Sequence, residues 1–153
     1  MLFLGNYDHS IDAKQRLAIP APFRQQWNPD VDGTAWIATP WLNEKVIRLY
    51  TEGYFRTRAA NYERSLTPDP DEAQLNAILF GVSARVEMDT AGRVRLPQEM
   101  LEVVGLGSEV TLVGAGDWLE IRDRGRWQKE EKLKGLEQLP ELLARIQAKR
   151  NSG

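Results

Sequence analysis

The sequence predicts an α+β fold built as two tandem, related β-modules with short flanking helices. Three observations carry this. First, the segment Asp12-Ala-Lys-Gln-Arg16-Leu-Ala-Ile-Pro20 through Arg24 returns 77 positions later as Asp89-Thr-Ala-Gly-Arg93-Val-Arg-Leu-Pro97 through Leu101. Second, the likeness spreads outward, which marks an internal repeat. Leu4-Gly5 precedes one copy and Phe80-Gly81 the other, and Glu52-Gly53-Tyr-Phe55 parallels Arg124-Gly125-Arg-Trp127. Third, a chain of 153 residues with 42% hydrophobic and 27% charged residues has the size and composition of one ordinary globular unit.

Each half reads as strand, turn, strand, short helix, strand, strand, helix. Residues 7–11 form a strand entering the first motif turn, and residues 17–19 leave it with apolar side chains on alternate positions. Pro20 opens a helix, where its missing N–H costs nothing. Residues 35–38 and 46–49 form a hairpin joined through 39–43. Between the copies, 67–72 reads as a loop leading into a helix over 72–80, with acidic residues at its positive end and Gly81 as its cap.

In the second copy, 85–88 and 94–96 alternate as a half-buried hairpin around the second motif turn. Pro97 opens a helix to about 104, ended by Gly105 and Gly107. Residues 110–114 and 118–121 form a hairpin around Ala115-Gly116-Asp117. Beyond Trp127 the pattern is helical, interrupted at Gly135 and Pro140, with a last helix over 141–149. The five tryptophans, with Phe55 and Trp127 at matched positions, are expected to fill the core.

Composition narrows the functional classes. No apolar run approaches the ~20 residues that span a bilayer, and the N-terminus lacks the basic and long apolar stretches of a signal peptide; a cytoplasmic protein is expected. Without cysteine, disulfides and thiolate metal sites are excluded. The net charge of −2 argues against an indiscriminate polyanion binder. The two motif regions are nevertheless basic. Residues 1–28 hold Lys14, Arg16 and Arg24 against Asp8 and Asp12, and residues 81–97 hold Arg85, Arg93 and Arg95 against Glu87 and Asp89. An anion-binding face should therefore be local, and binding should weaken with salt.

The motif turn has its own chemistry. Asp12 and Asp89 can accept hydrogen bonds from the amides of their own loops and brace them. Four residues on, Arg16 and Arg93 each offer a rigid fork that matches a phosphate or the O6/N7 edge of guanine. The bland alternative is a plain Asp–Arg pair closing a hairpin, worth about 0 to 1 kcal/mol when exposed. Recurrence in both halves favours the functional reading.

Gly5, the Asp12 to Arg24 segment, Leu79-Phe-Gly81 and Asp89 to Arg93 together resemble the MraZ family, over nearly the whole chain. That resemblance implies an AbrB-like fold of tandem swapped-hairpin β-barrel modules, with repeats at 1–66 and 81–134, a connecting helix at 67–80 and a tail at 135–153. It implies a bacterial, nucleoid-associated transcriptional regulator assembled into closed homo-oligomeric rings. Its partner would be DNA, as short guanine-containing direct repeats upstream of its own gene and the division and cell-wall gene cluster. By position, Arg16 and Arg93 become base readers, Lys14 and Arg95 phosphate contacts, and Asp12 and Asp89 loop braces. No metal, cofactor, membrane or small-molecule substrate is implied. In a ring, several weak basic loops act together, so a tandem array should bind far better than one box. The sequence departs from the family pattern at Gln15, where glycine is expected as at Gly92. If that position needs positive φ, Gln15 is strained by of order 1 to 3 kcal/mol.

Two rival readings have less support. An enzyme would need chemistry that His9, the single histidine, cannot supply with its contiguous neighbours Asp8 and Ser10, because adjacent strand residues face opposite ways. Gly105-Leu-Gly107 lacks the third glycine of a dinucleotide fingerprint. The arginines beside Asp12 and Asp89 keep those carboxyls ionised, unsuited to general acid work. The other rival is an AbrB-type module that acts through a protein partner, antitoxin-like, with the tail after Pro140 as its docking segment.

Overall fold

The computed structural model describes residues 1–62 and 65–152. Residues 63 and 64 of the first repeat and 153 of the tail lie outside the described residues. Among the described residues eight strands, β1 (Asn6–Ser10), β2 (Arg16–Ala18), β3 (Ala35–Trp41), β4 (Val46–Thr51), β5 (Ala84–Glu87), β6 (Arg93–Arg95), β7 (Glu109–Gly114) and β8 (Leu119–Asp123), form two antiparallel sheets. One has six strands in the order β1-β7-β8-β4-β3-β5, and the other is the ribbon β2-β6. The architecture is mixed α+β.

The strands flanking the motif turns pair between the copies. β1 from the first copy pairs with β7 of the second, and β5 from the second pairs with β3 of the first. The expected β5–β6 hairpin is therefore corrected: only a single bridge, Met88 to Val94, joins its two sides. A strand needs hydrogen-bond partners along its whole edge, and the longer neighbours β3 and β7 supply them. A single hydrophobic core results. It includes Leu17, Ile19, Phe23 and Trp36 from the first half and Val94, Leu96, Leu112 and Ile121 from the second.

The first half's hairpin is longer than expected, since β3 continues through Pro40 to Trp41. Proline is tolerated there because β5 pairs only with residues 35–38 of β3, leaving that side of Pro40 without a ladder to complete. The short helices α1 (Ala21–Arg24) and α5 (Gln98–Val104) each begin one residue after the motif proline. An unanticipated turn of helix, α2 (Pro29–Asp32), is capped by the Asn28 side chain. α3 (Glu52–Asn61) and α6 (Arg124–Arg126) start at matched positions, capped by Thr51 and Asp123. α4 (Pro70–Val82) is capped by Asp69 and has Pro70 at its start. It runs through Gly81, so that glycine does not end it; Ser83 does, with its hydroxyl bonded to the Leu79 carbonyl.

Beyond α6 a π-helical turn (Trp127–Glu131) leads into α7 (Lys132–Ser152), which passes without a break through Gly135 and Pro140. The expected interruption is thus corrected. Pro140 removes one donor from the helix, but α7 has no buried residue, so water can serve the freed carbonyl. The expectation for the tryptophans is also corrected. Trp36 is fully buried, whereas Trp41 and Trp118 lie on either side of Arg48, with Arg48 Cζ 4.3 and 4.8 Å from their ring centres. Trp127 sits beside Arg122 and donates its ring N–H to Asn6 at 3.3 Å. Indole faces attract guanidinium groups, which holds these rings at the surface rim.

Candidate nucleic-acid interface

Both motif turns form by the same hydrogen bonds. In the first, Asp12 Oδ1 accepts from the amides of Lys14 and Arg16, each at 2.9 Å, and Asp12 Oδ2 accepts from Arg16 Nε at 2.7 Å. In the second, Asp89 Oδ1 accepts from the amides of Ala91 and Arg93 at 2.9 Å, and Oδ2 accepts from Arg93 Nε at 2.9 Å. Backbone bonds Asp12 N to Arg16 O and Asp89 N to Arg93 O, at 3.0 and 2.8 Å, close each loop. The Arg16 amide holds the Asp12 carboxyl below its ordinary range, helped by the Arg16 guanidinium; the Arg93 amide and guanidinium do the same to Asp89. Each aspartate thus accepts two amides of its own loop.

Each pair also orients its arginine. With Nε committed to the aspartate, the Nη1 and Nη2 end of each guanidinium makes no hydrogen bond to a described residue. The Arg16 and Arg93 side chains keep 30% and 35% of their surface, so neither is buried in its ion pair. The remaining donor pair is the part of the fork that can meet two acceptors at once.

The ribbon brings the two turns together. Arg16 lies opposite Arg95, Leu17 opposite Val94 and Ala18 opposite Arg93. Leu17 and Val94 are fully buried, so strand alternation puts Arg16, Arg93 and Arg95 on the other, outward face. Arg16 and Arg93 are diagonal neighbours there, roughly 7 to 8 Å apart by strand geometry. Facing like charges in register destabilise a ribbon, and an anion over this face would relieve that repulsion. Lys14 is exposed on the first turn, where the second has Ala91. Arg85, also in a basic motif region, is instead tied to Glu52 at 2.6 Å, Glu87 at 2.9 Å and the Thr34 hydroxyl at 2.9 Å.

Of two further features of the site, the sequence reading raised one as a condition, positive φ at position 15, and missed the other. Gln15 has φ of 61° and Gly92 φ of 77°, so the first turn adopts the left-handed geometry with a side chain present. Each of these residues also gives its carbonyl to the opposite copy: Gln15 O accepts from Leu96 N at 2.9 Å and Gly92 O from Ile19 N at 2.8 Å. A 77-residue repeat states that two turns are alike. It does not state that they bond to each other. Away from the ribbon, Asp8 accepts from the Thr111 hydroxyl and the Gln128 amide, each at 2.7 Å, and the His9 carbonyl accepts from Arg124. Partial burial, then the Arg124 charge, hold the His9 imidazole below its ordinary range. Among the described residues no cluster of histidine and carboxylate side chains suits a metal ion, and no helix is long and apolar enough to cross a membrane.

Residues 79–140, which include the second turn, match a family model described as "MraZ protein, putative antitoxin-like". A protein of Coxiella burnetii named "Transcriptional regulator MraZ" is 31% identical over 148 residues, covering 92% of this chain and 97% of the relative. The chain belongs to the MraZ family. Relatives of the same name from Acetivibrio thermocellus and Thermomicrobium roseum are each 31% identical, over 127 and 132 residues. The match covers 83% of this chain and 85% of the first, and 86% of this chain and 89% of the second. The second motif turn stands within the family-model match, and the likeness to these relatives spans most of the protein.

Proposed function

We propose that this protein is a sequence-specific DNA-binding transcriptional regulator that carries no cofactor and catalyses no reaction. The observation that supports the reading best is the outward face of the β2–β6 ribbon, where two braced arginines and Arg95 converge from distant parts of the chain. Arg16 and Arg93 read guanine through their Nη donors, while Lys14 and Arg95 contact phosphate and set register. The family name of the relatives accords with this role. The operator is a set of short guanine-containing direct repeats upstream of the protein's own gene and the division and cell-wall gene cluster. A closed homo-oligomeric ring of cytoplasmic, nucleoid-associated copies, each with tandem swapped-hairpin repeats at 1–66 and 81–134, engages the repeats together. In that organisation 67–80 connects the repeats and 135–153 forms the tail.

Fluorescence anisotropy on tandem and scrambled repeats tests the proposal. The Arg16→Ala, Arg93→Ala double variant should lose preference for the repeats, since one guanine contact is worth about 1 to 3 kcal/mol. Light scattering should show its oligomer intact. Retained preference in the double variant eliminates the ribbon as the reader. A second reading, action through a protein partner, is favoured by an apolar cavity of about 280 Å³ lined by Tyr50, Tyr54, Phe55, Leu79, Phe80 and Trp118. It requires equal affinity for repeats and random DNA.

A further inference from the structure

The two halves of the β2–β6 ribbon are related by a near two-fold rotation. Leu17 and Val94 face each other at its centre, and the carbonyls of Gln15 and Gly92 are taken by Leu96 and Ile19 in reciprocal bonds of 2.9 and 2.8 Å. The first turn opens onto the end where Arg16 faces Arg95, and the second onto the end where Arg93 faces Ala18. The side chains do not obey the rotation. At matched repeat positions Lys14 answers to Ala91, Gln15 to Gly92, Ala18 to Arg95 and Arg24 to Leu101. Three cations, Lys14, Arg16 and Arg95, therefore stand at the first-turn end. At the other end stands Arg93, and Arg24 reaches the turn from α1, lying across Gly92 with its Nε given to the Ile19 carbonyl.

The two ends also differ in how their charge is met. Like charges directly opposite each other across a ribbon are destabilising, and no neighbouring carboxylate relieves Arg16 and Arg95 together. Asp12 is engaged by Arg16 alone, Glu87 by Arg85 and Glu102 by the Gln98 amide, while Glu99, exposed on α5, makes no ion pair with a described residue. The exposed Arg95 side chain likewise has no hydrogen bond or ion pair among the described residues. Ala18 spares the other end this conflict. We infer that DNA crosses the ribbon in a single direction, fixed by a phosphate clamp at the first-turn end, where Arg95 and Lys14 hold the backbone beside Arg16. The second-turn end, with Ala18 and Ala91 at the matched places, reads through Arg93 without that clamp. A near two-fold frame with like ends accepts DNA either way round. Unequal ends do not, because phosphate contacts are what set register and orientation on a duplex. The inference rests on the DNA-binding reading above and adds to it which way the DNA runs and which turn anchors it.

The native chain has no cysteine, so a single introduced one can carry a DNA-cutting label. Ala13 and Thr90 are exposed at matched places of the two turns. Ala13→Cys and Thr90→Cys are each made in the full-length protein and coupled to iron-EDTA. On duplexes of tandem guanine-containing repeats, the Ala13→Cys conjugate should cut at one edge of every repeat and the Thr90→Cys conjugate at the opposite edge. Cutting at both edges by either conjugate means that DNA lies both ways round and overturns the inference, while the DNA-binding reading stands. Preference for the repeats with no cutting from either position takes the ribbon off the DNA and overturns both. The clamp has its own readout. Arg95→Ala should lower the slope of log affinity against log salt by about 0.9 for each chain engaged, the loss of one phosphate contact; an unchanged slope overturns the clamp. Ala18→Arg with Ala91→Lys, added to the Thr90→Cys conjugate, should spread its cutting to both edges. Cutting that stays one-sided shows that these positions do not set the direction, and overturns the inference.

Discussion

The two motif turns share every main hydrogen bond yet differ in what surrounds the residue before the arginine. In the second turn that residue is Gly92, and Arg24 lies across it while donating Nε to the Ile19 carbonyl at 2.8 Å. A Cβ on Gly92 would come within 2.6 Å of Arg24 Cδ and 2.8 Å of Arg24 Nε. In the first turn the equivalent residue is Gln15, and the residue matching Arg24 by repeat position is the apolar Leu101, which lines a shallow cleft with Gln15 and Gln98. Gln15 nevertheless adopts φ of 61°. The aspartate network thus imposes the left-handed conformation on whatever occupies the position. Glycine is required where a neighbour also needs the space.

The largest effect on this comparison should come from Gly92→Gln, which makes the second turn resemble the first. The new side chain takes on left-handed strain and displaces Arg24 from the Ile19 carbonyl, for a combined loss of about 2 to 3 kcal/mol in urea unfolding. Adding Arg24→Leu should make the pair of changes cost less than their sum, because the crowding is then gone. Strict additivity would show that Arg24 is not what makes glycine necessary.

The reverse change, Gln15→Gly, should have a smaller and opposite effect. Relief of the left-handed strain is partly offset by the extra freedom of glycine in the unfolded chain, leaving a gain of about 0.5 to 1 kcal/mol. Loss of stability on Gln15→Gly would mean that the Gln15 side chain is itself engaged in holding the turn.

The smallest effect concerns pH. Asp12 and Asp89 are both depressed in the folded protein, chiefly by the amides of Arg16 and Arg93. Their contribution is therefore complete above the ordinary carboxylate range and is lost as pH falls through the depressed values. Asp12→Asn and Asp89→Asn should each flatten the acid limb of the urea midpoint plotted against pH, and by similar amounts. If one variant removes the whole acid dependence, the turns are not energetic equivalents.

Much of the site was legible because its chemistry is local. Asp12 and Arg16 are separated by the span of a single turn, as are Asp89 and Arg93, so the residues alone suggested the bracing. The short helices after Pro20 and Pro97 were equally accessible from proline's restricted backbone. Less accessible were elements whose form depends on neighbours. α4 continues through Gly81, because glycine lowers helix stability without ending a helix that its neighbours support. Trp41 and Trp118 sit at the rim because Arg48, from another strand, lies between them.

By itself the sequence determined that two like turns exist, that each presents an arginine held by an aspartate, and that the flanking strands have one buried face. Those properties follow from groups a few residues apart. Only the tertiary structure decided which strands meet: β2 with β6, β1 with β7 and β5 with β3. Backbone donors and acceptors are the same in every strand, so partner choice comes from how all the apolar faces close over one core. That choice, made far from the turns in sequence, is what sets Arg16, Arg93 and Arg95 side by side.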